Sequence, residues 1–255
     1  MTAVADPSTG RHRPAGRTGQ VLGLRNVTRV HGSGDAAVKA LDGLSISVAA
    51  GQFVAVMGPS GSGKSTLLHL AGGLDTPTSG LVEVEGTDVG ALSVSGRAAL
   101  RRRHVGYVFQ DFNLIPTLTA AENVSLPREL DGIGRRAARR EALQALAELD
   151  IEELADRFPD EMSGGQQQRA AIARAIVGER QLLLADEPTG ALDSHTGEAV
   201  LELLRDRADA GSAVVLVTHD ARFAAWADRV IFLRDGTVID TTGLDSAEEL
   251  LAEHR

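Results

Sequence analysis

The chain has 255 residues, 43% hydrophobic and 24% charged, which are ordinary globular values and exclude a disordered chain, collagen or a coiled coil as the overall description. It contains no cysteine, so neither a disulfide framework nor a thiolate metal site is available. Its 26 basic and 35 acidic residues give a net charge of -9, and only 3% of residues are aromatic, so we expect no nucleic-acid partner.

No apolar run reaches the roughly 18 residues that a membrane-spanning helix needs, so the sequence predicts no transmembrane segment. Residues 1–20 are rich in Gly, Pro, Ser, Thr and Arg, and they lack the apolar centre of a secretory signal. We therefore expect a disordered tail there and a chain that stays in the cytosol.

The first third of the chain predicts strands followed by one helix. Residues 21–30 and 41–51 alternate between apolar and polar side chains, and 53–58 form a short apolar run typical of a strand buried on both faces. A helix is expected from Lys64 until the glycine pair that starts at Gly72.

The middle of the chain changes character. Alternation over 81–89 predicts an edge hairpin, and a short basic helix at 95–103 precedes a strand at 104–110. Thr119 and Glu122 then form a capping-box pattern before a short helix. Residues 135–150 are strongly helical in sequence, and so is much of the stretch up to Met162. We therefore predict a helical subdomain at about 112–163 inserted in an α/β domain of residues 21–240.

The last third returns to alternating helices and strands. A capped helix is expected from Ser163 to Gly178, and Asp193 is a candidate cap for a helix with Ala199, Val200, Leu203 and Leu204 on one face. Apolar strands precede and follow that second helix, at 182–188 and 213–218. A hairpin with an Asp-Gly turn follows at 229–240, and Ser246 with Glu249 marks a last helix within 241–255. This order predicts a mainly parallel sheet with an antiparallel edge, which binds ligands at its carboxyl edge.

The segment GPSGSGKST fits the phosphate-loop pattern G-x-x-x-x-G-K-[ST], after a strand and at the start of a helix. Glycines allow successive backbone N–H groups to point at one anion, and the helix start adds a positive dipole end. A lysine supplies charge to the β- and γ-phosphates, and a serine hydroxyl is suited to Mg²⁺. The predicted phosphate-binding residues are Gly58, Pro59, Ser60, Gly61, Ser62, Gly63, Lys64, Ser65 and Thr66.

Two adjacent carboxylates, Asp186 and Glu187, follow an apolar strand where it should meet a polar site. We expect Asp186 to hold Mg²⁺ or its water shell, and Glu187 to polarise the attacking water. His219 ends another apolar strand and is placed to bond a γ-phosphate oxygen. A lone histidine at a strand end is more often structural, so spacing alone leaves both interpretations open for His219.

Together these residues resemble the ATP-binding-cassette (ABC) ATPases over about residues 21–240. MSGGQ at 162–166 is similar to the LSGGQ signature of that family, and it stands between the phosphate loop and the carboxylates. Gln110 in YVFQ matches the Q-loop glutamine, Asp193 in ALD the D-loop, and His219 in THD the switch histidine.

The resemblance implies a P-loop NTPase (RecA-like) core that binds ATP and Mg²⁺ and pairs head to tail with a second copy. The metal residues would be Ser65, Gln110 and Asp186, and the signature of one copy would cover the nucleotide on the Lys64 site of the other. A serine and two glycines at a helix start form a second anion-facing patch, which is consistent with that arrangement. The catalytic residues are expected to be Glu187, His219, Lys64 and Gln110. The residues that the resemblance adds to the nucleotide site are Ser163, Gly164, Gly165, Gln166, Asp193 and His31.

A narrower similarity links the chain to one branch of the family. GGLDTPTSG, FNLIPTLTAAENV and DEPTGALD resemble the lipoprotein-release and macrolide-export branch (LolD/MacB type), with the FtsE-type cell-division subunit as a close cousin. That branch implies a separate integral membrane permease as partner, and a location at the cytoplasmic face of the membrane, held through the permease. Gln110 and the helices after it would relay the nucleotide state to that partner.

One position departs from the family. An aromatic residue usually stacks on adenine just before the phosphate loop, and in VTRVHGSG that place falls on His31. Imidazole offers less stacking surface than tyrosine, so we expect weaker affinity or base selectivity.

Three alternatives stay open at this point: a cell-division ATPase, a non-transport ABC ATPase acting on DNA or the ribosome, and a kinase that uses the same phosphate loop. Non-transport members usually carry two cassettes or long coiled-coil insertions, which this sequence lacks. A kinase would need an acceptor site and would not need SGGQ. The cargo of a transporter does not follow from the sequence.

Overall fold

The computed structural model describes residues 19–243, with the side chain of Asp35 left out. The strands in this part of the chain are β1 (Gln20–His31), β2 (Val38–Ala49), β3 (Phe53–Met57), β4 (Ser79–Val84), β5 (Thr87–Asp88), β6 (Val105–Val108), β7 (Leu182–Asp186), β8 (Ala213–Val217), β9 (Arg229–Arg234) and β10 (Thr237–Gly243). The helices are α1 (Lys64–Ala71), α2 (Val94–His104), α3 (Ala120–Leu130), α4 (Arg135–Ala147), α5 (Gly164–Ile176), α6 (Ser194–Asp209) and α7 (Ala221–Ala224).

Six strands form the main sheet in the order β10-β9-β3-β8-β7-β6. The strands from β9 to β6 are parallel to one another, and β10 runs antiparallel at the edge. Strands β3 and β8 are apolar along their length, and β7 is apolar up to its last residue, Asp186, because both faces of this sheet are covered. The predicted mainly parallel sheet with an antiparallel edge is therefore confirmed.

A second sheet, in the order β2-β1-β4-β5, is antiparallel throughout and stands beside the first. Its β4–β5 pair is the edge hairpin predicted at 81–89. One face of the main sheet packs against α1 and this second sheet, and the other packs against α5 and α6, with α3 and α4 adding to the same core. Successive side chains of a strand point to opposite faces of the sheet, so each parallel strand contributes to both cores. In β7, Leu182 and Leu184 lie in one core, and Leu183 and Ala185 lie in the other.

The capping box predicted at Thr119 and the helix cap predicted at Ser163 are both present, and the second also forms a capping box. Thr119 caps α3 through Glu122, and Ser163 caps α5 through Gln166. The expectation that much of the stretch up to Met162 is helical is wrong for the residues after Ala147. Helix α4 ends at Ala147, and only two short 3-10 turns, Glu152–Leu154 and Pro159–Glu161, follow.

The chain leaves the helix after α4 because Asp150 takes a left-handed conformation, with φ of 52°. The buried face predicted for α6 is wrong in part, because Ala199 is exposed and Leu203 is only half-buried. Asp193 does cap α6 as predicted. The buried stripe of α6 runs instead through Gly197, Val200, Leu201, Leu204 and Ala208.

Near the end of the described chain, residues 241–243 continue β10 rather than starting the helix expected at 241–255. Thr241 and Thr242 pair with Ile231 and Val230 of β9, where β-branched side chains favour a strand. The expected cap residues of that last helix, Ser246 and Glu249, lie outside the described residues, as does the predicted tail apart from Gly19 and Gln20.

Candidate active site

Four parallel strands end at one edge of the main sheet, and a cleft of about 720 Å³ opens there. The phosphate loop follows β3, Gln110 lies just beyond β6, Asp186 ends β7, and His219 lies just beyond β8. The carboxyl edge of a parallel sheet is the expected place for a ligand. The predicted residues that line the cleft are Gly58, Ser60, Gly61, Gly63, Lys64, Ser65, Thr66, Gln110, Asp186, Glu187 and His219.

The glycines of the phosphate loop are required by geometry. Gly58 has φ of 153°, and a Cβ there would stand 2.1 Å from the carbonyl oxygen of Leu233. Gly63 has φ of 102°, and its Cβ would stand 2.4 Å from the carbonyl oxygen of Ala40. Both positions therefore combine a backbone conformation that favours glycine with contacts that leave no room for a side chain.

Backbone hydrogen bonds connect the phosphate loop to the turn between β9 and β10 and, through it, to β2. The carbonyl oxygen of Ser62 accepts a hydrogen bond of 3.1 Å from the N–H of Gly236, in the turn between β9 and β10. The carbonyl oxygen of Gly236 in turn accepts one of 3.0 Å from the N–H of Asp42 in β2. Ser62 is consequently buried under the loop, and neither it nor Pro59 lines the cleft.

The loop and the start of α1 carry the donors that a phosphate chain needs. The helix cap Gly63 has no side chain, so the N–H groups of the first turn are left to a ligand or to solvent. The Nζ of Lys64 donates to the carbonyl oxygens of Gly58 and Pro59 at 2.8 Å each. An ammonium has three N–H donors, so one remains beyond these two contacts. This donor set, with the hydroxyl of Ser65 in the cleft, fits a triphosphate and its Mg²⁺ ion.

Two carboxylates, Asp186 and Glu187, also line the cleft. Asp186 is nearly buried at the end of β7. Glu187 is held in a left-handed conformation, with φ of 47°, while its N–H donates 3.0 Å to the carbonyl oxygen of Val217. A non-glycine residue in this conformation costs of order 1–3 kcal/mol and persists only where the surroundings enforce it. The hydrogen bond to Val217 holds the backbone of Glu187, and the contact of its Oε1 with His219 orients the carboxylate.

His219 contacts that carboxylate directly, with its Nδ1 2.9 Å from Oε1 of Glu187. The hydrogen bond and the negative charge of Glu187 raise the pKa of His219, and the charge of Asp220 adds to the effect. The positive charge of Lys64 acts in the other direction. The imidazole is largely exposed, at 81% of its side chain, so its far edge is open to the cleft.

A buried phenol lies in the strand next to Asp186, outside the lining of the cleft. Tyr107 of β6 is buried and stacks on Phe109, with 4.2 Å between the ring centroids. Burial raises the pKa of its hydroxyl, and the negative charge of Asp186 raises it further. Tyr107 thus stays neutral beside the carboxylate.

The signature residues do not line this cleft. Ser163 and Gln166 bond each other in a capping box: the Gln166 Oε1 accepts 2.8 Å from the Ser163 N–H, and the Ser163 Oγ accepts 3.3 Å from the Gln166 N–H. A Cβ on Gly164 would lie 4.0 Å from Cζ of Phe112, and one on Gly165 would lie 3.5 Å from the carbonyl oxygen of Ala191. Phe112 and Ala191 do line the cleft, so the start of α5 borders its rim without entering it.

The remaining two predicted residues also lie outside the lining. Asp193 uses its carboxylate to cap α6, accepting 3.0 Å from the N–H of Thr196. This contact and a second one from the Thr196 hydroxyl lower the pKa of Asp193. His31 is exposed at the end of β1 and pairs across the sheet with Val38, whose exposed side chain does line the cleft.

Sequence reasoning missed several lining residues because no local pattern marks them. Val38 comes from the second sheet, and Phe112 and Ala191 come from irregular segments next to recognised motifs. The lining residues that were not predicted are Val38, Lys39, Ala40, Asp111, Phe112, Gly190, Ala191 and Val217.

Within residues 19–243, no helix is both long enough and apolar enough to cross a membrane.

Comparison with protein families gives a match of residues 41–190 to the ABC transporter family. Among curated proteins, the chain is 46% identical over 226 residues to the macrolide export ATP-binding/permease protein MacB of Hyphomonas neptunium, covering 89% of this chain and 35% of that protein. It is 45% identical over 219 residues to the MacB of Shigella flexneri, covering 86% of this chain and 34% of the relative. The chain thus spans about a third of the length of these curated relatives.

Among solved structures, the chain is similar to the ATP-binding cassette MJ0796 in a dimeric post-hydrolysis state bound to ADP and Pi. The TM-score is 0.84 at 42% identity, and the match covers 88% of this chain and 98% of that one. A second dimeric structure of MJ0796, described as a bacterial ABC transporter cassette, matches with a TM-score of 0.83 over the same shares. The family match covers more than half of the chain, and the motifs, the fold and the solved relatives agree with it: this chain belongs to the ABC transporter family and has the P-loop NTPase fold of its ATP-binding cassettes.

Proposed function

We propose that this chain binds ATP with Mg²⁺, hydrolyses the ATP to ADP and phosphate, and powers a membrane permease of the exporter type. The observation that carries this proposal is the meeting of the phosphate loop, Gln110, Asp186, Glu187 and His219 around one cleft at the carboxyl edge of the sheet. A triphosphate lying on the loop would place its γ-phosphate toward the two carboxylates and the histidine.

The phosphate loop would hold the substrate. N–H groups of the loop and of the first turn of α1 donate to the β- and γ-phosphate oxygens, and Lys64 adds its remaining N–H and its charge. Ser65, Gln110 and Asp186 are the residues that would hold Mg²⁺, because all three line the cleft and carry oxygen atoms that can serve as ligands. The bound ion would neutralise part of the charge that develops on the phosphate oxygens.

The chemistry would use Glu187 and His219. An oxygen of Glu187 accepts a proton from water while the water oxygen bonds to the γ-phosphorus and the bond from that phosphorus to the ADP oxygen breaks. With its Nδ1 engaged by Glu187, His219 keeps Nε2 for a γ-phosphate oxygen. Glu187 is only 17% exposed at its side chain, which limits solvent access to the proton it receives.

We propose that two copies pair head to tail, so that Ser163, Gly164, Gly165 and Gln166 of one copy meet the nucleotide of the other. In support, these residues border the rim of their own cleft without lining it, and their N–H groups begin a helix. The solved relative MJ0796 is dimeric in both structures described above. Asp193 would act in the same interface, next to its cap on α6.

The names of the curated relatives support an exporter as the complex that this chain powers. The curated relatives are named as macrolide export ATP-binding/permease proteins, and they share 45–47% identity with this chain. We propose an integral membrane permease as partner and a location at the cytoplasmic face of the membrane, held through that permease. A cell-division role of the FtsE type is the second candidate, since the same segments resemble that subunit.

Two experiments test these proposals. Phosphate release from ATP and Mg²⁺, measured with no acceptor present, should be readily detected, whereas a kinase would be nearly idle. A tagged chain purified from detergent-solubilised membranes should bring down a permease at stoichiometric yield, with few membrane spans and a large extracytoplasmic domain. Recovery of only soluble proteins or ribosomes would contradict the transport role and favour a non-transport ABC ATPase.

A further inference from the structure

The cleft is lined by both lysines of the chain, Lys39 near the start of β2 and Lys64 at the start of α1. Every other long basic side chain is an arginine, and none of the arginines in residues 19–243 lines the cleft. Lysine offers a phosphate group a compact charge on a flexible stem, whereas arginine offers a rigid fork. The phosphate-loop motif accounts for Lys64, but Lys39 belongs to no motif.

Lys39 stands between the expected place of the base and the phosphate loop. Val38, on one side of it, lines the cleft and pairs across the second sheet with His31. On the other side, the carbonyl oxygen of Ala40 leaves no room for a Cβ on Gly63, so the backbone of β2 touches the loop there. Two residues of a strand span about 7 Å. Within that distance, β2 passes from the nucleoside end of the cleft to its phosphate end.

The ammonium of Lys39 has donors left for a ligand. The side chain is half exposed, and its Nζ donates 3.0 Å to Oδ2 of Asp42. The N–H of Asp42 in turn donates 3.0 Å to the carbonyl oxygen of Gly236, in the turn that supports the loop. An ammonium has three N–H donors, so two remain beyond the contact with Asp42. A pair of exposed charges contributes little to stability, so a phosphate can draw the ammonium toward it at small cost.

The groups proposed to act on the γ-phosphate come from the other sheet. Glu187 and His219 follow β7 and β8, whereas Lys39 belongs to the second sheet. A nucleotide with its γ-phosphate at those two side chains and its base beside Val38 has its α-phosphate next to Lys39, because the α-phosphate joins the nucleoside to the rest of the phosphate chain.

We infer that Lys39 is a nucleotide-binding residue that donates to the α-phosphate, and that Asp42 weakens binding by opposing the charge of Lys39. The inference rests on the proposed function, in which the cleft holds ATP with its γ-phosphate at Glu187 and His219. ATP and ADP both carry an α-phosphate, so Lys39 holds substrate and product equally. A contact of that kind affects affinity and leaves the chemical step unchanged.

The test measures the Kd of ADP and of a non-hydrolysable ATP analogue by isothermal titration calorimetry. Lys39→Met should raise both Kd values by the same factor, about 3- to 10-fold. In steady-state hydrolysis, KM for ATP should rise by a similar factor while kcat changes less than 2-fold. Lys39→Arg, which keeps the charge, should stay within about 2-fold of the unmodified chain in both affinities.

A second variant tests the role of Asp42. Asp42→Asn leaves an oxygen that can accept from the ammonium but removes the opposing charge, so it should lower both Kd values about 2- to 3-fold. If Asp42 and Lys39 served only to stabilise the sheet, Asp42→Asn would not tighten binding. A variant that weakens binding as much as Lys39→Met does would therefore overturn the inference.

The matched control is Arg25→Met, which removes an exposed cation of the same sheet that also pairs with a carboxylate, that of Glu83, outside the cleft. Its affinities should stay within 2-fold of normal. The inference is wrong if Lys39→Met leaves both affinities unchanged, weakens the ATP analogue alone, or does no more than Arg25→Met. If the unmodified chain releases no phosphate from ATP, the proposed hydrolysis fails, and titration with ADP still decides the role of Lys39.

Discussion

His219 and Glu187 meet across the ends of two neighbouring strands, with 2.9 Å between Nδ1 and Oε1. The pair joins a largely exposed imidazole to a mostly buried carboxylate whose backbone is held at φ of 47°. The histidine is therefore positioned by the residue that we propose as the base, and the two side chains should act as a unit.

This contact predicts a titration that can be measured at one residue. Because Glu187 raises the pKa of His219, the folded chain binds this proton more tightly than the unfolded chain does. The stability from this pair is then complete below the ordinary histidine pKa of about 6.5, and it is lost as pH rises through the raised value. An NMR titration of the His219 ring should show the raised pKa, which should fall in Glu187→Gln. Equal values in the two proteins would mean that the contact is absent in solution.

Replacing Glu187 by glutamine should block hydrolysis and leave binding intact. The amide keeps the size of the side chain but cannot accept the proton from water, so we expect kcat to fall at least about 100-fold. The variant should accumulate as an ATP-bound dimer, seen as an earlier peak in size-exclusion chromatography with ATP and Mg²⁺. Glu202→Gln, at an exposed position on α6, is the control. A Glu187→Gln variant that stays monomeric and hydrolyses normally would contradict the assignment.

Replacing Lys64 by methionine should weaken nucleotide binding about 10- to 100-fold. The change removes a charged donor beside the phosphates, and such hydrogen bonds are worth roughly 1.5–3 kcal/mol. Titration with a fluorescent ATP analogue measures the loss directly. Arg136→Met removes the same charge from an exposed site on α4 and serves as the comparison. Equal affinity in the two variants would show that net charge, rather than the position of Lys64, sets binding.

Replacing His31 by tyrosine should tighten ATP binding about 3- to 10-fold, because the larger ring offers more stacking surface. His31 lies across the ladder from Val38, which lines the cleft, so the new ring would stand beside the expected place of the base. Affinities for ATP and GTP should be measured together. An unchanged affinity and an unchanged ATP/GTP ratio would refute the expectation that His31 limits base recognition.

Two alanine substitutions separate backbone strain from steric conflict in the phosphate loop. Gly61 has φ of 78° with no atom within 4 Å of a Cβ, so Gly61→Ala should cost only the strain, about 1–2 kcal/mol. Gly58→Ala adds the conflict with Leu233 and should cost about 2–4 kcal/mol. At roughly 2–4 °C per kcal/mol, thermal melting should resolve the two variants. A larger loss for Gly61→Ala would contradict the description of the loop.

The parts of the fold that the sequence predicts are those with a local cause. The buried strand before the phosphate loop, the capping box at Thr119, and the caps at Ser163 and Asp193 each follow from a few adjacent residues. The end of α4 at Ala147 could not be predicted from adjacent residues. The charged and apolar spacing after Ala147 still resembles a helix, and the left-handed turn at Asp150 is held by Arg169 from another helix.

The same division applies to the cleft. Lys64, Asp186 and His219 stand next to strands whose ends can be recognised, so their meeting at one edge follows from the parallel sheet. Val38 arrives from the second sheet, and the strained backbone of Glu187 depends on its hydrogen bond to Val217. Such features result from contacts between distant segments, which periodicity and spacing do not encode.

The hydrogen bond from Gly236 to Ser62 has a consequence for synthesis of the chain. Ser62 leaves the ribosome long before Gly236 is synthesised. The hydrogen bond that supports the phosphate loop therefore cannot form until nearly the whole cassette has emerged. At about 5–20 residues per second the wait is on the order of ten seconds or more. During that time the loop lacks one of its supports, so we expect a nascent chain to bind nucleotide more weakly than the completed cassette does.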